Sequence, residues 1–254
     1  MIVNEVMSTK LVLVEASATL SHAANLMREH QIHHLPVIRM PRSAPFWFPG
    51  AILDVDGREI ETLPVLEGLL TSHDIDIAVA VDAQNAGNRD HRPWQERRVA
   101  EAMHPAPTSV GPTSSVAAAA QLLVERGVNC LPVVEYIEVE KAEARTVLVG
   151  LLTRSDLLMA LARSMGAFQP GIEVHIHLPD GDVTPLATML LAARELHIQV
   201  RSILAGPLQG PVPYRATVQL GTIHPAPLLV RLQQAGISYE FADFPQEHET
   251  DVQR

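Results

Sequence analysis

Gly68-Leu69-Leu70-Thr71-Ser72-His73-Asp74 returns as Gly150-Leu151-Leu152-Thr153-Arg154-Ser155-Asp156, at an offset of 82 residues. Upstream of it, Val6-Met7-Ser8 returns as Ala102-Met103-His104, and His34-Leu35-Pro36-Val37-Ile38 returns as Cys130-Leu131-Pro132-Val133-Val134, both at an offset of 96. The difference of fourteen residues is an insertion in the first copy, between its Leu-Pro-Val and its Gly-Leu-Leu-Thr. A duplicated supersecondary unit rarely buries its apolar face alone. Two copies are therefore expected to pack about a pseudo-twofold axis and to create paired clefts.

Working outward, each copy reads as strand, helix, strand, strand, helix. Lys10 to Val14 and Thr108 to Val110 suit short strands. Leu20, Ala23, Ala24 and Met27, and then Val116, Ala119, Ala120 and Leu123, recur at helical spacing. Ser17 or Thr19, and Ser114 or Ser115, are available as N-caps. The Leu-Pro-Val segments are too short and β-branched for helices and read as core strands. After Gly-Leu-Leu-Thr a helix starts at once, over Ile75 to Val81 in the first copy and Leu157 to Met165 in the second.

Between the copies, Val81 to Arg98 is polar with little periodicity and reads as a solvated connection. The insertion carries Phe46, Trp47 and Phe48, an aromatic cluster, and then Asp56-Gly57, which reads as a hairpin turn. Beyond Gly166 the pattern changes. Ile172, Val174, Ile176 and Leu178 alternate with polar residues as in a half-buried strand. Thr184-Pro185 is expected to supply a cap and a first-turn proline, ahead of a stripe of Leu186, Met189, Leu190, Ala193 and Leu196. Strands follow at Ile198 to Leu204 and Tyr214 to Leu220, then a helix with Leu228, Leu229 and Leu232 that Gly236 closes, then a strand at Ile237 to Phe241. The order is βαββαβ, the ferredoxin-like arrangement. The expected divisions are a first repeat at 1–81 with its insertion within 39–67, a connection at 82–98, a second repeat at 99–166, a separate domain at 170–245 and a tail at 246–254.

Composition fits a globular chain of this kind. With 254 residues, 47% hydrophobic and 19% charged, disorder is not the expectation. A formal net charge of −10 opposes nonspecific attraction to nucleic acid or anionic membranes, and neither is expected as a partner. The amino terminus lacks the basic flank and apolar core of a signal peptide, and no apolar run approaches a membrane span, so a cytoplasmic location is expected. The single cysteine, Cys130, fits a reducing compartment and reads as a packed strand thiol.

The repeated close has two readings. Thr-x-x-Asp at a helix start is a capping box, with Asp74 or Asp156 reaching back to the N–H of Thr71 or Thr153. The same junction points free N–H groups and a positive dipole end outward, which suits phosphate, while a carboxylate beside it can accept both hydroxyls of a ribose. Thr153, Arg154 and Ser155 add anion donors; Thr71, Ser72 and His73 form a weaker set.

Together the paired Met openings, the Leu-Pro-Val strands and the Gly-Leu-Leu-Thr-x-x-Asp closes resemble a tandem of cystathionine β-synthase (CBS) domains over residues 1 to about 165. The resemblance implies an α/β (α+β) fold of two βαββα repeats. It also implies adenosine nucleotides or related adenosyl ligands in clefts shared by the copies. One cleft would comprise Thr153, Arg154, Ser155 and Asp156 with Val12, Ile32 and His33; the other, Thr71, His73 and Asp74 with Thr108, Val128 and Asn129. The tail resembles an ACT domain, and the combination is similar to acetoin-utilisation regulatory proteins. ACT domains usually carry Pro-Gly before the first helix, where Val183-Thr184 stands here, so a dimerising role is expected at least as much as amino-acid binding.

The function expected is regulatory rather than enzymatic. An adenine nucleotide (AMP, ADP, ATP or S-adenosylmethionine) would be the regulatory ligand, no cofactor would be required, and the chain would be a homodimer with a regulated protein as a further partner. The alternative is a ligand-silent interaction scaffold. A metal-dependent hydrolase stands third, since His33-His34 and His175-x-His177 are the only close histidine groupings and no third ligand is set nearby. No Gly-x-Ser-x-Gly, Walker loop or His-Glu-x-x-His occurs.

Overall fold

The computed structural model describes residues 1–39, 64–84, 92–105, 107–137, 145–206 and 214–241. The Phe46 to Phe48 cluster, the Asp56-Gly57 turn and the tail at 246–254 lie outside them. The chain divides into two compact units, Met1–Leu158 and Met159–Arg254.

In the first unit the elements run β1 (Val14–Glu15), α1 (Leu20–Glu29), β2 (His34–Arg39), β3 (Val65–Thr71) and α2 (Ser72–Gln84). They are followed by β4 (His104–Pro105), α3 (Val116–Arg126), β5 (Cys130–Ile137), β6 (Arg145–Thr153) and α4 (Arg154–Ser164), whose end belongs to the second unit. Thr19 caps α1 by accepting from the His22 N–H at 3.2 Å, and Ser115 caps α3 by accepting from the Ala118 N–H at 3.1 Å. Leu20, Ala23 and Met27 of α1, and Ala119 and Leu123 of α3, are the buried faces that the spacing predicts. Both helices end the same way. Ile32 N–H donates back to the Met27 carbonyl and Val128 N–H to that of Leu123, with the intervening Gln31 and Gly127 at φ of 53° and 64°.

The expected first strands are shorter than the sequence suggests. Within the first, Val14 and Glu15 pair in register with described residues, parallel to Val37 and Ile38. In the second copy Val110 makes a single parallel bridge to Val133. Pro107 and Pro112, which have no N–H to give, bracket that segment. The polar connection is also partly structured: α2 continues to Gln84, and Trp94 packs against the first copy's core.

The two copies join in one sheet of order β1-β2-β3-β6-β5, with β4 paired to β3. Val65 of β3 pairs antiparallel with Val147 of β6. These residues are 82 positions apart, the offset of the repeat, so each meets its own equivalent and a local twofold axis passes between them. Each copy has a core of its own strands and helices, into which the opening segment of the other copy packs, Val99 in the first and Val3 in the second. Leu20, Leu35, Val37 and Leu70 are buried in one, and Leu123, Leu131, Val133 and Leu152 in the other. A further cluster of Leu11, Ile38, Leu69, Cys130, Val134, Leu148 and Leu151 draws on both copies and forms the seam.

The second unit continues with β7 (Ile172–His177), α5 (Thr184–Glu195), β8 (Val200–Ala205), β9 (Arg215–Leu220), α6 (Ala226–Gln234) and β10 (Tyr239–Phe241). The sheet is antiparallel in the order β10-β7-β9-β8. Val174, Ile176, Ala216, Val218 and Leu220 on the two central strands pack with Met189 and Ala193 of α5 and Leu228 and Leu232 of α6. One cap differs from the expectation. Thr184 is the first residue of α5, and its N–H and hydroxyl both donate to Asp182, at 2.9 and 2.6 Å, so the aspartate supplies the acceptor. A carboxylate two residues upstream is a stronger acceptor than a hydroxyl.

Candidate functional site

The junctions β3–α2 and β6–α4 face one continuous cleft of about 1140 Å³ in the first unit. From the first expected set it is lined by Ile32, His33, Thr153, Arg154 and Ser155; from the second, by Thr71, His73, Thr108, Val128 and Asn129. Asp74, Asp156 and Val12 are not among its lining residues. Val12 packs on the first copy's core instead. Within each copy the pre-Leu-Pro segment is tied to the junction: Ser72 N–H donates to the His33 carbonyl at 3.0 Å, and Arg154 N–H to that of Asn129 at 3.1 Å.

Both aspartates sit in complete capping boxes. Asp74 Oδ2 accepts from the Thr71 N–H at 2.8 Å and its hydroxyl at 2.7 Å, and Asp156 Oδ2 accepts from the Thr153 N–H and hydroxyl at the same distances. In return each threonine hydroxyl accepts from its aspartate's N–H, at 3.3 and 3.1 Å. The cap therefore consumes one carboxylate oxygen of each residue and leaves the other.

What meets that other oxygen comes from the opposite copy. Ser8 Oγ donates to Asp156 Oδ1 at 3.3 Å, and His104 Nε2 lies 2.9 Å from Asp74 Oδ1. Ser8 bridges Leu151, and His104 pairs with Leu69, so the segment that opens one copy lies along the closing strand of the other. The glycine of each Gly-Leu-Leu-Thr makes this possible: a side chain at Gly150 would meet the Met7 sulfur, and one at Gly68 would lie 2.8 Å from both the Met103 sulfur and the His104 carbonyl. Sequence reading missed Ser8 and His104 as site residues. The signal available was their shared place in the repeat, directly after Met7 and Met103.

Charge in the cleft is graded. His34 lines it and is held below the ordinary imidazole value, chiefly by burial and then by His33, with Asp74 opposing. Ser72 Oγ lies 3.4 Å from His33 Nδ1. Cys130 also touches the cleft, yet burial and then the Asp156 charge push its thiol up to about 12, which fits the packed thiol expected. Chemically the cleft offers N–H and hydroxyl donors with one guanidinium, arranged for an anion, at junctions whose carboxylates are each held by the cap on one oxygen and by the opposite copy on the other.

In the second unit a smaller cleft of about 210 Å³ is lined by His177, Asp182, Thr184, Thr188 and Ser238. The Thr184 hydroxyl and N–H hold the Asp182 carboxyl below its ordinary range. His175 Nδ1 lies 3.1 Å from Thr217 Oγ1. Among the described residues no cluster of three histidine, cysteine or acidic side chains is disposed to hold a metal ion, and no helix is long and apolar enough to cross a membrane.

The family described as the CBS domain matches residues 3–42 and 99–163. Solved structures similar to this chain include CBSX2 in complex with AMP, at 22% identity over 64% of this chain and 96% of that one, with a TM-score of 0.42. The CBS domain pair of MJ0100, in complex with 5′-methylthioadenosine and S-adenosyl-L-methionine, is 20% identical over 64% and 97%, with a TM-score of 0.42. A protein from Vibrio cholerae assigned to acetoin utilization, AcuB, is 22% identical over 67% and 98%, with a TM-score of 0.43. The first unit of this chain carries a tandem pair of CBS domains.

Proposed function

We propose that this chain is a nonenzymatic regulatory protein whose CBS pair senses an adenine nucleotide. The observation that carries the reading is the cleft of about 1140 Å³ in which Thr153, Arg154 and Ser155 open a helix beside a carboxylate, Asp156, that keeps one oxygen outside its cap. Phosphate suits the helix N-terminus and the guanidinium, and a ribose suits the carboxylate. The β3–α2 junction repeats the design with Ser72 and His73 in place of Arg154 and Ser155, a weaker set for phosphate. The second unit, with its βαββαβ order, serves as an ACT-type ferredoxin-like domain that passes the ligand state to a partner and joins two chains as a homodimer. Calorimetric titration with AMP, ADP, ATP and S-adenosylmethionine tests the sensing: at least one binds, and silence toward all four with the fold intact overturns it. Sedimentation at micromolar concentration tests the dimer, which a single species of 27.7 kDa would rule out.

The complete capping boxes favour one other reading, a scaffold in which Asp74 and Asp156 serve only to start helices. A scaffold holds its protein partner equally well with and without nucleotide. The sensing reading requires that nucleotide change that affinity.

A further inference from the structure

The two halves of the site are equivalent by sequence, but the residues laid over their carboxylates are not. Over Asp156 the opposite copy places a serine, whose hydroxyl reaches Oδ1 at 3.3 Å, near the limit of a hydrogen bond. Over Asp74 it places an imidazole at 2.9 Å. A carboxylate oxygen only accepts, so His104 Nε2 carries the proton and donates, whether the ring is neutral or charged. Asp74 is 7% exposed and buried, whereas Asp156 is half-buried. His104 itself lines the cleft, with its side chain 67% exposed.

Resting on the nucleotide reading above, we propose that His104 is a built-in latch that occupies the ribose-accepting oxygen of Asp74, so that the working nucleotide site is the Thr153–Asp156 half. Oδ2 of Asp74 is committed to the cap and Oδ1 to the imidazole, so a ribose can reach this carboxylate only after His104 swings away. Giving up a hydrogen bond to a charged group lowers affinity by roughly ten- to a hundredfold. Swinging out is sterically open, because the ring borders the cleft rather than the core. On the other half the ribose displaces only a long contact to a small hydroxyl. The asymmetry thus lies in one side chain, at the position where the first copy has Ser8.

The experiment is calorimetric titration of the full chain and of His104→Ser with AMP, ADP, ATP and S-adenosylmethionine in turn. Removing the latch is expected to add one site per chain, with affinity ten- to a hundredfold tighter than any second site of the parent, and Asp74→Asn in the same background is expected to remove it again. An unchanged number and affinity of sites in His104→Ser, for a ligand that binds the parent, overturns the latch and leaves the nucleotide reading standing. An added site that survives Asp74→Asn also overturns it. Silence of both proteins toward all four ligands, with unaltered thermal melts, overturns the nucleotide reading and the latch together. His104→Ala, which leaves no hydroxyl over Asp74, must give the same gain as His104→Ser.

Discussion

The sulfur of Met7 occupies the space in which a side chain at Gly150 would stand, and Met103 does the same at Gly68. The second case is tighter in kind, because the His104 backbone carbonyl shares that space at 2.8 Å. A methionine tail can turn aside; a paired backbone cannot.

Gly68→Ala is therefore expected to cost more stability than Gly150→Ala, within the range of about 1–3 kcal/mol for overpacking. It must move β4, and His104 with it, whereas Gly150→Ala asks chiefly for a new Met7 rotamer. Urea denaturation of both variants checks the order. Equal losses would show that the methionine, not the carbonyl, sets the cost.

Asp156 has two tasks that separate by substitution. Asp156→Ala removes the acceptor for the Thr153 N–H and hydroxyl and is expected to lower stability by about 1 kcal/mol. It also weakens nucleotide binding, since hydrogen bonds to a charged group are worth roughly 1.5–3 kcal/mol each. Asp156→Asn retains a cap oxygen but loses the charge, so it should keep most of the stability and still lose affinity. Parent-like affinity in both variants would leave Asp156 as a cap alone.

Acid should destabilise the first unit through His34. Burial, then His33, holds its folded pKa below the ordinary 6.5, so between the two values the unfolded chain binds more protons than the folded one. Stability then rises with pH in that interval. The contribution is constant above about pH 6.5, declines as the pH falls below it, and reaches its floor below the folded value. His34→Gln is expected to flatten this part of a melting-temperature profile between pH 7.5 and 5; an unchanged slope would assign it to other groups.

Cys130 should be silent toward a thiolate-selective reagent in the native protein at neutral pH. Its thiol is buried and pushed up to about 12, so almost none is ionised. Labelling is expected to follow opening and to accelerate sharply in urea. Rapid labelling of the native chain would mean that the seam between the copies opens readily.

The parts of this fold legible in the sequence are those set by local chemistry repeated twice. Thr19 and Ser115 stand where a cap is needed and act as caps; Leu35-Pro36-Val37 and Leu131-Pro132-Val133 are buried strands because nothing else suits short β-branched runs. The early strands were harder to read. Leu11 and Val12 alternate between the seam and the first core as a strand would, but pairing depends on what lies beside them, and the ladder among the described residues runs through Val14 and Glu15. Thr184 looked like a cap from its place before Pro185, yet a neighbouring carboxylate, Asp182, takes the task. Of the site, Thr153, Arg154 and Ser155 could be named from the motif. His104 is marked in the sequence by its place after Met103 in the repeat alone; its role depends on a strand pairing across 35 residues, from Leu69 to His104, that no local pattern records.

Val65 and Val147 meet across an axis that relates each to its own counterpart. Such a contact is the one that two separate single-repeat chains would make as a symmetric pair. Joining the halves in one polypeptide keeps the contact and removes the obligation that both halves carry the same residue. A free pair would have to present either two serines or two histidines to its aspartates. One fused chain can present Ser8 to one and His104 to the other, so covalent linkage is what lets a symmetric architecture hold two unlike half-sites.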